Sequence, residues 1–456
     1  MHLLIKNDKQ KQVVYFRCFI FIWTVVNIWQ AKNTQLLDDE AYYWTYSKFL
    51  DWGYFDHPPM IALLIKIGYT IFPNELGVRL ILVLMSSGLL WICRVLTKNV
   101  DFSFYLVIAL SFLVLHIGSI LAVPDTPLIF FTGVYLLIYQ KFLIKKNLLY
   151  AFLLGLVAAA LLYSKYHGIL VIFFSILGVP KILKQKYIYI AAVVCILLFL
   201  PHIFWQINHH FPSIRYHLIE RNEGYHFDID ITLEYILGQI IFLGPLIGIL
   251  SLWVILRKKV KDAFLVSLKY MVFGILTFFL ISTLKGRVEA NWTAPALVCM
   301  LILSCRLINE VDKLKKWIKW IFAISLILAI IARVIMVVEL WPGAMEIKEG
   351  ELYRNHEWAQ QIKKEAKSKK VIFINSYQKA SKYWFYTKDT SYSYNTANAR
   401  KNAYNFFPLR SSFDKKEILM IISDSLGGGW KKISTVKGNL FMKEVKNFSL
   451  TDSLKL

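Results

Sequence analysis

A succession of long apolar runs, each bounded by polar or basic residues, constrains this chain more than any other feature. The runs lie near 12–30, 76–96, 102–122, 127–143, 148–163, 168–181, 187–204, 232–256, 263–283, 293–307 and 317–340. Roughly 20 apolar residues in a helix cross a bilayer. The pattern therefore predicts an all-α polytopic membrane region of about eleven spans. Hydrophobic residues make up 57% of the 456, more than a soluble domain of that length needs for its core. The basic start and the apolar stretch behind it read as a retained first helix, because no small-residue cleavage site follows.

The formal charge of +23 comes from 53 Lys and Arg against 30 Asp and Glu. It does not point to nucleic acid, because the basic residues sit in short clusters between apolar runs, the pattern that sets orientation in a membrane protein. With the N-terminal cluster Lys6 to Lys11 in the cytoplasm, alternate crossings return the clusters at 94–98, 145–146, 181–186, 257–261 and 306–319 to that side. The opposite face then receives 31–75, 122–127, 163–168, 205–231, 284–292 and everything after about 341. In a Gram-negative cell that face is periplasmic.

The sequence accordingly divides into a multi-span membrane domain, 1–341, with a chemistry-bearing first outside loop at 31–75, and a soluble outward-facing α/β domain, 342–456. In the tail, 371–375, 418–423 and 441–445 read as strands and 358–367 as an amphipathic helix. Gly427-Gly428-Gly429 reads as a turn, lacking the strand-and-helix context of a phosphate loop. The absence of Walker and dinucleotide fingerprints argues against a nucleotide-driven pump. The five cysteines, Cys18, Cys93, Cys195, Cys299 and Cys305, lie in or beside apolar runs without metal-type spacing and read as free thiols.

Unusual polar residues concentrate in the outside segments. Asp38, Asp39 and Glu40 follow the first run, and the same loop carries Asp51, Tyr54, Asp56 and His57. Carboxylates at the end of a membrane helix suit work on a polar group whose anchor is a lipid. Such a carboxylate takes the proton of an attacking hydroxyl or amine, and a neighbouring one shifts its pKa or helps hold a metal. Pro58 and Pro59 fix the backbone behind Asp56-His57, a pair suited to phosphate or a divalent metal. Asp125 stands between Pro124 and Pro127, as a helix cap, a site group or both.

Lys165 and His167 interrupt an apolar stretch, where ionisable groups usually face a cavity or a partner. Arg215, Arg221 and Arg287 compete for the role of gripping phosphate, since guanidinium matches phosphate oxygens bidentately. Glu289 and Asn291 complete a polar knot with Arg287. His209-His210 is a weak zinc signal without a third ligand.

Together these motifs resemble the polyprenyl-phosphate-sugar glycosyltransferases of the GT-C class. The branch is the one named for dolichyl-phosphate-mannose protein mannosyltransferases, which includes the lipid A aminoarabinose transferases. The matching segments are Asp39-Glu40-Ala41-Tyr42-Tyr43-Trp44, Gly53 through Met60, Gly77-Val78-Arg79, Pro124 through Pro127, Ser164 through Gly168 and Glu289 through Trp292. In the tail, Ser376 through Ala380 and Phe385-Tyr386 are similar to a stretch of the same branch.

The resemblance implies an inverting transfer from a polyprenyl phosphate, in bacteria undecaprenyl phosphate. The acceptor would be a lipid, glycan or protein outside the cytoplasmic membrane. By matching position it makes Asp39 the counterpart of the catalytic base and Asp125 the counterpart of the second-loop acidic residue, with Glu40 beside Asp39 as a further catalytic candidate. Asp56 and His57 fall where relatives carry an acidic and a basic residue associated with metal and donor phosphate; His in place of Lys makes that contact pH-dependent. Donor phosphate then falls to His57, Lys165, His167 and one of Arg215, Arg221 and Arg287, with Tyr54, Asp56, Glu289 and Asn291 lining the substrate. The leaving phosphate needs cations more than protonation, so a divalent metal is compatible with the reaction and not required by it. The competing classes are a flippase for a lipid-linked sugar, which needs access from both faces, and a metal-dependent lipid phosphatase or hydrolase.

Overall fold

The computed structural model describes residues 2–97, 99–222, 225–340, 352–396, 399–409, 412–413, 416–422 and 430–448. Gly427 to Gly429 and the 341/342 boundary lie outside the described residues. The helices run α1 (His2–Asn33), α2 (Asp38–Tyr46), α3 (Met60–Ile71), α4 (Glu75–Leu96), α5 (Phe102–Ser111) and α6 (Leu113–Ile117). Then follow α7 (Asp125–Ile144), α8 (Leu148–Ser164), α9 (Gly168–Gly178), α10 (Lys186–Asn208) and α11 (Pro212–Leu218). The last of the apolar series are α12 (Ile229–Phe242), α13 (Ile247–Arg257), α14 (Ala263–Ser282), α15 (Ala294–Ile308) and α16 (Asp312–Val337).

Every predicted apolar run is helical, and this is a multi-span membrane protein. Among the described residues seven helices are long and apolar enough to cross a membrane, or eight if a bent pair counts as one. That pair replaces the single run expected over 232–256. α12 and α13 meet at 97°, where Gly244 takes a positive φ of 90° and Pro245 follows. The expected runs near 102–122, 148–163 and 168–181 form shorter helices, the first of them interrupted at Phe112.

The chain divides into two units. One holds Met1–Ala31, His57–Ile61 and Arg79–Val334; the other holds Lys32–Asp56, Ala62–Val78 and Ile335–Leu456. In the first, small residues allow close helix approach: a Cβ on Gly155 of α8 would stand 2.5 Å from the Ala191 carbonyl of α10. Arg333 interrupts the apolar face of α16. It donates to Asn27 of α1 at 2.8 Å and to Ser119 at 3.1 Å, and also to Gln30. A charge in this setting requires such partners.

The second unit packs α2 against α18 (Tyr377–Thr387). Trp44 meets Trp384 and Phe385 edge-on at 5.5 and 5.1 Å, and Tyr42 lies 4.3 Å from Tyr377. Edge-to-face pairs contribute about 0.5–1.5 kcal/mol each beyond buried area. The Tyr386 hydroxyl accepts from the Leu36 amide at 2.8 Å, fixing the chain entering α2. The acidic loop is thus built into the unit that carries the tail.

The tail also contains α17 (Asn355–Ala366) and a five-stranded sheet ordered β2-β1-β3-β5-β4. Its strands are β1 (Lys370–Ile374), β2 (Ser391–Tyr394), β3 (Lys416–Ile422), β4 (Lys431–Thr435) and β5 (Gly438–Phe448). β2, β1 and β3 are parallel, with α18 as the β1–β2 crossover; β3, β5 and β4 are antiparallel. β1 is buried on both faces, as its unbroken Val-Ile-Phe-Ile run requires. The three strands and the α17 helix read from sequence are present. β2 and β4 went unread because Ser-Tyr-Ser-Tyr and Lys-Lys-Ile-Ser-Thr carry weak apolar signals.

Candidate functional site: a buried ionic knot and an acidic helix start

In the membrane unit, Asp125 opens α7, and the N-cap position itself falls on Pro124. The carboxylate turns to two side-chain donors, Lys165 Nζ at 2.7 Å and Asn291 Nδ2 at 2.8 Å. Lys165 lies in the short turn between α8 and α9, which also carries His167. Asn291 lies in a 3-10 turn, Ala290–Thr293. Gln239 of α12 holds that turn, donating to the Ala290 carbonyl at 3.0 Å and accepting from Thr293 at 2.6 Å. Breaks between helices thus deliver all three members of the knot.

His167 is packed between Trp292 and Phe279, with ring centroids 5.0 Å away in each case. Its Nδ1 is buried with no hydrogen-bond partner among the described residues. Burial first, then the charges of Lys165, His217, His57 and Arg221, hold its pKa well below the ordinary imidazole range. Charged and titratable side chains from other parts of this unit therefore act electrostatically on one imidazole. The His57 ring lies 6.5 Å from that of His217, a residue absent from the sequence-level candidates.

The three arginines separate. Arg221 stands 4.5 Å over the Trp292 ring and 3.7 Å from Glu289, with its side chain 22% exposed. Arg215 pairs with Glu220, and Arg287 with Glu234 and Glu289; their side chains are 62% and 63% exposed. His209 closes the end of α10, its Nδ1 2.8 Å from the Trp205 carbonyl and its ring stacked on Trp205 at 4.3 Å. Among the described residues no group of three His, Cys, Asp or Glu is arranged to hold a metal.

In the second unit, Asp38, Asp39 and Glu40 form the first turn of α2, where acidic side chains complement the helix dipole. Asp38 pairs with Lys382 of α18, whose side chain is 4% exposed. Asp39 is exposed. Glu40 is fully buried and accepts from the Leu37 amide at 3.0 Å. Asp56 accepts from Tyr42 at 2.6 Å, from Tyr46 at 3.0 Å and from Arg400. Three donors on one carboxylate leave little capacity for a metal. Tyr54 stacks on Tyr46 at 4.1 Å and bonds to the Tyr46 and Phe49 carbonyls, supporting the aromatic floor.

Sequence reasoning missed Lys382 and Arg400, which engage acidic positions more than 300 residues earlier in the chain. The readable signal for Lys382 was a cation among the aromatic residues of α18. Arg400 had none.

The family model for dolichyl-phosphate-mannose-protein mannosyltransferase matches residues 56–205. Lipid A galacturonosyltransferase RgtD of Rhizobium johnstonii is 25% identical over 313 residues, 62% of this chain and 62% of that protein. An uncharacterized protein of Aquifex aeolicus is 26% identical over 283 residues, 57% of this chain and 54% of its own length. The chain thus spans less than two thirds of the curated relatives it matches.

The fold is that of ArnT from Cupriavidus metallidurans. Its apo crystal structure superposes with a TM-score of 0.65 at 14% identity, covering 95% of this chain and 98% of that one. The undecaprenyl-phosphate-bound form gives 0.67 at 13%, covering 94% and 97%. The fold is therefore shared with ArnT, and the family model covers only residues 56–205 of the chain.

Proposed function

We propose that this chain is an inverting glycosyltransferase of the inner membrane. It moves a sugar from an undecaprenyl-phosphate donor to a lipid acceptor at the periplasmic face. The observation that carries the reading is the cluster around Trp292, whose ring has the buried His167 5.0 Å away and the Arg221 guanidinium 4.5 Å over it, beside the Lys165–Asp125–Asn291 knot. ArnT, which shares the fold, has been crystallised with undecaprenyl phosphate, and RgtD is a lipid A galacturonosyltransferase.

The chemistry accounts for such a cluster. A lipid-linked sugar phosphate is a diester with a single negative charge. As the acceptor oxygen or nitrogen attacks the anomeric carbon opposite the phosphate, the carbon–oxygen bond breaks and its electron pair passes to the phosphate oxygen. A second negative charge develops there, so cations nearby stabilise the transition state more than the ground state. Arg221, Lys165 and His57 serve that charge, and the neutral His167 adds an N–H donor; Asp125, itself held by Asn291, fixes Lys165. Asp39 receives the acceptor's proton. Tyr54, Asp56, Glu289 and Asn291 contribute to the substrate surroundings, directly or by support. The displacement needs no metal, since the fixed cations take the charge.

Purified protein, an undecaprenyl-phosphate sugar panel and a lipid A acceptor fraction provide the test, read by mass spectrometry of both lipids. Donor consumption with a matching mass gain on the acceptor supports the reading. Donor binding without turnover across the panel would sink it in favour of a carrier of lipid-linked sugar.

A further inference from the structure

A second basic cluster lies outside all of these residues, in the unit that carries the tail. Lys48 Nζ stands 4.5 Å over the Trp44 ring and 4.4 Å over the Tyr69 ring. Lys388 Nζ is 3.2 Å from the Tyr69 hydroxyl and 4.4 Å over the Phe385 ring. Two ammonium groups thus share one tyrosine. Lys66, one turn before Tyr69 on α3, is exposed.

Burial first, then repulsion from Lys66 and Lys388, pushes the Lys48 ammonium down to about 8. Burial also lowers Lys388, with Glu75 acting in the opposite sense. Like charges gathered on an aromatic platform are stabilised by an anion.

The apolar surroundings narrow the kind of anion. Leu63, Ile67 and Ile71 are 46%, 45% and 57% exposed, and they share the exposed face of α3 with Lys66 at helical spacing. Phe72 continues that surface at 42% exposure. A free anion in water gains nothing from such a stripe, whereas a phospholipid meets both halves, its phosphate on the lysines and its acyl chains on the apolar residues. The chain is a multi-span membrane protein, so phospholipid is always at hand.

We infer that Lys48, Lys66 and Lys388, with the exposed face of α3, form a docking site for the phosphate headgroup of an anionic phospholipid. The site uses none of the residues assigned to sugar transfer and stands whether or not that reading holds.

The test uses full-length protein and its Lys66→Gln/Lys388→Gln variant in nanodiscs of phosphatidylcholine containing graded phosphatidylglycerol, with retained lipid counted by native mass spectrometry. A lysine beside an anionic surface contributes about a fivefold preference, so losing two weakens phosphatidylglycerol retention about 30-fold while phosphatidylcholine retention stays the same. Acetylation footprinting of the unmutated protein provides a second measure. Labelling of Lys66 and Lys388 should fall several-fold in phosphatidylglycerol relative to phosphatidylcholine, while Lys431, exposed in the tail, stays unchanged. Equal retention by both proteins, or labelling indifferent to the lipid, overturns the inference. Protection by millimolar inorganic phosphate without lipid overturns the lipid assignment.

Discussion

Lys165 donates to Asp125 at 2.7 Å across 40 positions of sequence, and the two side chains are only 6% and 10% exposed. A buried pair of this kind is weak evidence of net stabilisation but costly to break from one side. Its role here is to fix a lysine beside His167.

Removing only the carboxylate should therefore be worse than removing the pair. Asp125→Asn leaves the Lys165 charge uncompensated and should cost about 3–5 kcal/mol. Asp125→Asn combined with Lys165→Met should recover much of that. Denaturant unfolding of the detergent-solubilised single and double variants measures the difference; additive losses would contradict the pairing.

Acid should loosen the same region. With its pKa held below the ordinary value of about 6.5, His167 is neutral in the fold, while the unfolded chain takes up a proton as pH falls through that value. Its contribution to stability is present above about 6.5 and lost progressively below it. Thermal midpoints at pH 7.5 and 5.5 should differ less for His167→Phe than for the unmutated protein. An identical pH dependence would remove His167 as its source.

The arginines give a graded expectation. Arg221→Ala should reduce turnover by about a hundred- to a thousandfold, the range for loss of a group facing developing charge. Arg215→Ala and Arg287→Ala, on exposed surface pairs, should change turnover by no more than about twofold. Steady-state kinetics on the three variants decides, and a ranking led by Arg215 or Arg287 would relocate the phosphate contact.

In the second unit, Lys382→Met should unseat Asp38 and weaken the α2–α18 packing, because the ion pair sits against a buried lysine. Hydrogen exchange over residues 38–46 and 377–387 should accelerate together. Faster exchange confined to α18 would show that the pair does not couple the helices.

Much of the molecule was legible in its sequence, for stated reasons. Apolar runs fold as helices in a membrane because the backbone has no other partner there. Motif order along the chain carried the resemblance to the branch. The break at Gly244-Pro245 was present as a glycine–proline step inside an apolar run, but run length outweighed it. Pairings were not legible. Asp125 with Lys165, Asp38 with Lys382 and Asp56 with Arg400 join distant segments, and local pattern does not encode which charge meets which. Arg333 could have been singled out as a lone cation in an apolar helix, yet its partners on α1 follow only from packing.

The most direct measurement is sugar transfer from an undecaprenyl-phosphate donor by the unmutated protein and by Asp39→Asn. Asp39 is exposed at the start of α2, so stability should shift by no more than about 0.5 kcal/mol. Loss of a general base should lower turnover by about 10²- to 10⁴-fold while donor binding persists. Transfer by the unmutated protein that disappears in the variant is the predicted result. Undiminished transfer by Asp39→Asn would contradict the assignment of the base.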